Sequence, residues 1–89
     1  MKVRLSLLVC LLSLAGFATV HNVSVGSNFF NPSSLTITQG DTVIWTNTSG
    51  SHNVNGTTST FSGNPESFGN SVGTGWTFQH VFGKVGNYS

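Results

Sequence analysis

Ser51-His52-Asn53-Val54 comes just after a strand-like run that closes in Trp45-Thr46-Asn47. An imidazole is a borderline donor that suits zinc or copper, and a histidine at the rim of a sheet is held more stiffly than one on a free loop. His52 is therefore the first candidate metal ligand. A single histidine flanked by Asn and Ser also has an ordinary reading as an edge residue. The chain offers two other imidazoles. His21 shares a strand face with Val23 and Val25, and His80 shares one with Trp76, Phe78 and Phe82. Both read as partly buried structural histidines. Three imidazoles can hold zinc or copper, but the spacing of His21, His52 and His80 gives no support for a shared site. The sequence shows no Ser-His-Asp set, no carboxylate pair and no phosphate-cradling glycine loop, so it reads as a non-enzyme.

The elements that must position His52 are strands. Alternating patterns run through Val20 to Val25, Leu35 to Ile37, Thr42 to Asn47 and Trp76 to Phe82, bounded by Gly, Asn, Pro and Ser clusters. Such period-2 patterning predicts half-buried antiparallel strands. Gln39-Gly40-Asp41 predicts a turn. No segment carries helical periodicity with caps. The stretch from Asn55 to Gly75, with Phe61, Phe68 and Val72 as its few apolar residues, reads as a long surface excursion. About four or five strands are expected, the last beginning at Gly86, against the roughly seven of a closed sandwich.

The amino terminus has the layout of a secretory signal peptide over residues 1–18: Lys2 and Arg4, an apolar run from Leu5 to Leu14, then Gly16 and Ala18 as the small residues before cleavage. That run is short of the roughly 20 residues of a bilayer-spanning helix, so no membrane span is expected after cleavage. The expected location is secreted or periplasmic. Cys10, the one cysteine of the chain, lies inside the apolar run. The chain from Thr19 onward then holds no thiol, which excludes a disulfide framework and a cysteine nucleophile. Beyond Ala18 the fixed charges are Lys84 against Asp41 and Glu66. With no basic patch, nucleic-acid binding is excluded, because its affinity comes largely from phosphate neutralisation. Asn22, Asn47, Asn55 and Asn87 open Asn-x-Ser/Thr triplets, which arise readily in so Asn/Ser/Thr-rich a chain.

The pattern Phe30-x-Pro32-x-x-Leu35-x-Ile37-x-x-Gly40-Asp41-x-Val43-x-Trp45-x-Asn47, followed by His52-Asn53-Val54, resembles the amino-terminal motif of the plastocyanin-like cupredoxins, the type 1 blue copper proteins. The likeness covers about residues 21 to 54. Phe82-x-x-x-Gly86-x-Tyr88 resembles that family's entry into the strand leading to its copper cysteine. The resemblance implies an all-β fold, a Greek-key β-sandwich of the cupredoxin type, incomplete at its carboxy-terminal end, over residues 19–89. It implies His52 as the first copper-ligating histidine and Asn53 as an outer-shell residue close to the ligating sulfur. Asn47 matches a loop-pinning asparagine, and Val43, Trp45, Phe78 and Phe82 match core positions that keep such a site dry and stiff. The implied cofactor is one type 1 copper ion, the implied role electron transfer as a monomer with a redox partner protein. The family's cysteine, second histidine and methionine ligands have no counterpart in these residues, so the chain is expected to be a fragment of a longer cupredoxin.

Two other readings carry different expectations. A metal-free secreted β-sandwich for adhesion or interaction would use aromatics such as Trp76 and Phe61 on an exposed face. A domain of a copper oxidase or nitrite reductase would need a far longer chain and further histidines.

Overall fold

A computed structural model describes Lys2–Val3 and Ser6–Cys10 as backbone and residues 18–89 in full. Among these residues the chain is all-β, with no helix and hence none long and apolar enough to cross a membrane. In chain order the strands are β1 (Lys2–Val3), β2 (Ser6–Cys10), β3 (Val20–Gly26), β4 (Phe29–Asn31), β5 (Ser34–Thr38), β6 (Thr42–Asn47), β7 (Asn53–Gly56), β8 (Phe68–Gly69), β9 (Thr77–Val81) and β10 (Gly86–Tyr88).

The largest sheet has the order β4-β3-β6-β9. Its pairing is mixed rather than antiparallel throughout. β3 runs parallel to β6 from Val20 opposite Thr42 to Val25 opposite Asn47, whereas β4 and β9 are antiparallel to their neighbours. The excursion between β3 and β6 is the cause. The chain leaves β3 through β4, passes into β5 in a different sheet, and re-enters alongside β3 in the same direction. The expected turn brings it back: the Asp41 amide donates to the Thr38 carbonyl at 2.9 Å, and Gly40 takes φ +91°, a backbone region open to glycine at little cost.

Alternation on β3, β6 and β9 places the same residues inward that the sequence pattern singles out. Val23, Val25, Val43 and Trp45 are buried, and Asn22, Ser24, Thr77, Gln79 and Val81 face solvent. Against that inner face pack Ile37 from β5, Val54 from β7, Phe68 from β8 and Tyr88 from β10, with Phe82 at the end of β9. Trp45 is the hub, stacked on Phe68 at 5.7 Å and on Phe78 at 5.6 Å between ring centroids. Offset aromatic pairs of this kind add about 0.5–1.5 kcal/mol each beyond their buried area. Residues from separate sheets meeting over one core make the arrangement compatible with a β-sandwich.

The Asn55 to Gly75 stretch is a surface excursion only in part. It starts within β7 and pairs back through β8, and Asn55, Gly56, Asn64 and Phe68 are buried while the rest is exposed or half-buried. Polar residues go inside here because each finds a partner. The Asn64 amide donates to the Gly56 carbonyl at 3.0 Å and to the Ser89 carbonyl at 2.9 Å, while its oxygen accepts from the Ser89 amide at 2.8 Å. Phe68 is a true core peg, but Val72 is exposed. The strands also outnumber the four or five expected after residue 19, because β4, β7 and β8 are too short or too polar to alternate visibly.

Of the expected leader, Ser6–Cys10 is strand β2, seated between β5 and β10. The proposed small-residue position Gly16 lies outside the described residues, and Ala18 is exposed.

Candidate metal centre

His52 sits at the junction between the Asn47 to Ser51 turn and β7. Backbone hydrogen bonds fix it from both sides: its amide donates to the Gly73 carbonyl and the Gly73 amide donates to the His52 carbonyl, each at 3.0 Å. The indole of Trp76 locks the same bridge, donating to the His52 carbonyl at 2.8 Å and to the Gly73 carbonyl at 3.0 Å. Asn47 adds a third tie. Its side-chain amide donates to the carbonyls of Gly50 at 2.9 Å and Gly73 at 3.1 Å. The Gly73 carbonyl therefore takes three donors, and two loops close on one histidine.

The imidazole itself is held but not satisfied. His52 is 3% exposed, and among the described residues neither Nδ1 nor Nε2 has a hydrogen-bond partner. A neutral imidazole carries one donor and one acceptor, and leaving a buried polar group unpaired costs about 1–3 kcal/mol. Gly50, with φ +79°, forms the wall on the Nε2 side: a Cβ there would lie 2.8 Å from Nε2. Only glycine accommodates both the backbone angle and the close approach. Nδ1 lies on the other side of the ring.

Asn53 continues the same pattern. It is buried, its Oδ1 is unpartnered among the described residues, and its Nδ2 reaches the Asn70 carbonyl only at 3.5 Å, the outer limit of a hydrogen bond. Its strand is pinned by Asn70, whose Oδ1 accepts from the Val54 amide at 2.7 Å. The Oδ1 of Asn47 is a further buried acceptor without a partner among the described residues. Among the described residues the buried side-chain polar atoms without a partner are Trp45 Nε1 and atoms of Asn47, His52 and Asn53.

The other two histidines stand in contrast. His21 Nε2 lies 2.8 Å from Asp41 Oδ2, and His80 Nε2 lies 2.9 Å from Glu66 Oε1. Asp41 also accepts from the backbone amides of Thr19 at 2.8 Å and Thr38 at 3.1 Å. Burial alone would raise its carboxyl, but the His21 hydrogen bond, the two amides and the His21 charge together hold it below the usual carboxylate range. Glu66 takes the Gly83 amide at 3.0 Å as a second donor, and His80 stacks on Phe68 at 5.0 Å. Burial, with the Glu66 charge, pushes the Tyr88 phenol up to about 12.

His21 and His80 are therefore structural, and the three histidines do not converge. Among the described residues no group of three or more His, Cys, Asp or Glu side chains could jointly hold a metal ion. What the site offers a metal is one buried imidazole in a stiff frame. Asn70, Gly73 and Trp76 are the framing residues that sequence reading passed over. Gly73 and Asn70 carried no signal, while Trp76 was legible as a core aromatic or an adhesion aromatic and not as a tie to the His52 backbone. No protein-family model, no curated protein and no solved structure matches this chain.

Proposed function

We propose that this is a copper-binding electron-transfer protein of the plastocyanin-like cupredoxin type, with a Greek-key sandwich fold and a secreted or periplasmic location. The single observation that carries the reading is the buried His52 ring, framed by Asn47, Gly50, Gly73 and Trp76 yet without a partner on either nitrogen among the described residues. The position is the one that the sequence resemblance marks as a copper ligand. A side chain that a fold pays to bury unpaired is accounted for when a ligand completes it.

His52 supplies one imidazole, with Nδ1 the nitrogen not walled by Gly50. Asn53, adjacent and with a free Oδ1, orients the neighbouring donor rather than binding metal itself. Copper held there would supply one-electron exchange. The Trp76 lock and the Asn47 ties fix the backbone that carries the imidazole. The other donors are not among residues 19–89. The reading therefore places this chain within a longer one whose following segment brings a cysteine, a histidine and a methionine. A redox protein is the implied partner. The adhesion reading gains nothing from Trp76, because its indole is spent on the His52 bridge.

The test is the coding sequence after the Ser89 codon, expressed together with these residues. An in-frame cysteine closely followed by a histidine, and an intense blue colour on adding Cu(II), is the expected result. A stop codon at that point, or a continued chain that stays colourless with Cu(II), overturns the proposal.

A further inference from the structure

Cleavage after Ala18, where the leader pattern puts it, turns the Thr19 amide into an α-ammonium and makes Thr19-Val20-His21 the start of the processed chain. Ala18, Thr19 and Val20 are all exposed, so the bond to be cut and the new terminus stand at the surface. A chain that begins with two residues and then a histidine carries an amine, two backbone amide nitrogens and an imidazole Nδ1 in succession. Together they close fused chelate rings around one ion. Four nitrogens in a plane is the arrangement that Cu(II) and Ni(II) favour.

The fold adds what that short sequence lacks by itself. The Thr19 nitrogen donates to Asp41 Oδ1, and His21 Nε2 lies against Asp41 Oδ2, both at 2.8 Å. One buried carboxylate therefore holds the first and the last donor of the chelate. A carboxylate only accepts, so in the neutral ring Nε2 carries the proton and Nδ1 presents the lone pair. Nδ1 is the nitrogen that can close a ring with its own backbone amide. A carboxylate behind a ligating imidazole fixes the tautomer and raises the basicity of the ring. Asp41 is itself held, accepting from the Thr38 amide at 3.1 Å while its own amide donates to the Thr38 carbonyl at 2.9 Å. The Thr42 amide donates to the Thr19 carbonyl at 3.0 Å, and the chelate does not use that oxygen.

We propose that removal of the leader creates a second metal site, a square-planar Cu(II) or Ni(II) site formed by the Thr19 amine, the Val20 and His21 amide nitrogens and His21 Nδ1, with Asp41 as its positioning residue. This rests on the exported reading of residues 1–18 and is independent of His52. The ion displaces one proton from the ammonium and one from each amide, so binding releases protons and strengthens as pH rises. The bound amine keeps N–H groups to donate to Asp41. In the unprocessed chain the Thr19 nitrogen belongs to a peptide bond and the site does not exist.

The experiment expresses the full chain, carrying His52→Leu, in an exporting host and compares the exported product with unprocessed chain. The product is expected to begin at Thr19 by mass and to take up Cu(II) stoichiometrically, with a weak violet absorption and the electron paramagnetic resonance pattern of four nitrogens. Unprocessed chain is expected to show neither. Val20→Pro removes one amide donor at the first residue of β3, where proline is tolerated, and is expected to abolish the violet species. If that variant does not fold, a serine inserted before Thr19 displaces His21 from its required place and is expected to do the same. The exported product is also expected to lose Cu(II) to a chelator more slowly than a free peptide of Thr19 to Ser24, and Asp41→Asn to keep the spectrum but lose that advantage. A product that begins elsewhere, a violet species that survives both changes, or Cu(II) uptake no tighter than that of unprocessed chain overturns the site. Loss as fast as from the free peptide overturns the role of Asp41.

Discussion

Two kinds of histidine environment lie within one small β-structure. At the ends of β3 and β9, His21 and His80 each meet a carboxylate, and Asp41 and Glu66 are the only two acidic residues in the chain. Just before β7, His52 is more deeply buried than either, and its ring has no hydrogen-bond partner among the described residues. The first arrangement stabilises: charge and hydrogen bonds are matched, and backbone amides of Thr19, Thr38 and Gly83 are satisfied along with them. The second costs stability and is surrounded by a frame that prevents relief. Pairing marks the two histidines that hold the fold, and His52, without a hydrogen-bond partner among the described residues, is the one the proposed function assigns to a ligand.

The largest effect expected from breaking this contrast is at Asp41. Asp41→Ala strips a partner from His21 and leaves two backbone amides without their acceptor, and the expected loss is about 3 kcal/mol, read by urea unfolding. A loss under roughly 1 kcal/mol would mean that the paired histidines contribute little. Next comes Gly50→Ala, which forces a side chain into a left-handed backbone and towards Nε2. It is expected to cost about 1–2 kcal/mol and to shift the His52 ring resonances, which separates it from a distant backbone effect.

A smaller pair of changes has opposite signs. His52→Leu removes the unpaired ring atoms and is expected to leave stability unchanged or raise it by about 1 kcal/mol, whereas His80→Leu strands Glu66 and lowers it by about the same amount. Equal losses at both positions would erase the distinction. The smallest effect is the response to acid. Because the folded Asp41 carboxyl lies below its unfolded value, its contribution is fully present above about pH 4 and is lost as pH falls through the folded value. Asp41→Asn should flatten that part of the stability curve. A curve that keeps its acid slope in the variant assigns the slope elsewhere.

The same contrast explains what could be read from the residues alone. The buried faces of β3, β6 and β9 were legible because Val23, Val25, Val43, Trp45, Phe78 and Phe82 alternate with polar residues on long strands. β7 was not, since Asn-Val-Asn-Gly is buried at every position and its polarity mimics a loop. The interior places of Asn55 and Asn64 depend on long-range partners, Thr60 and Ser89, that no local pattern announces. His52 stood out by its position after Trp45-Thr46-Asn47. Its burial and the bridge to Gly73 and Trp76 are properties of the folded chain, as are the carboxylate partners of the other two histidines. Parallel pairing of β3 with β6 was likewise hidden, because alternation does not encode strand direction.

The central claim, that His52 is the imidazole poised for a metal, is tested most directly by titrating Cu(II) into the full chain and following the ring resonances of all three histidines by NMR. The account predicts weak binding without intense visible absorption, with the His52 signals broadened first and those of His21 and His80 persisting. Broadening that begins at His21 or His80 while His52 stays sharp would contradict it.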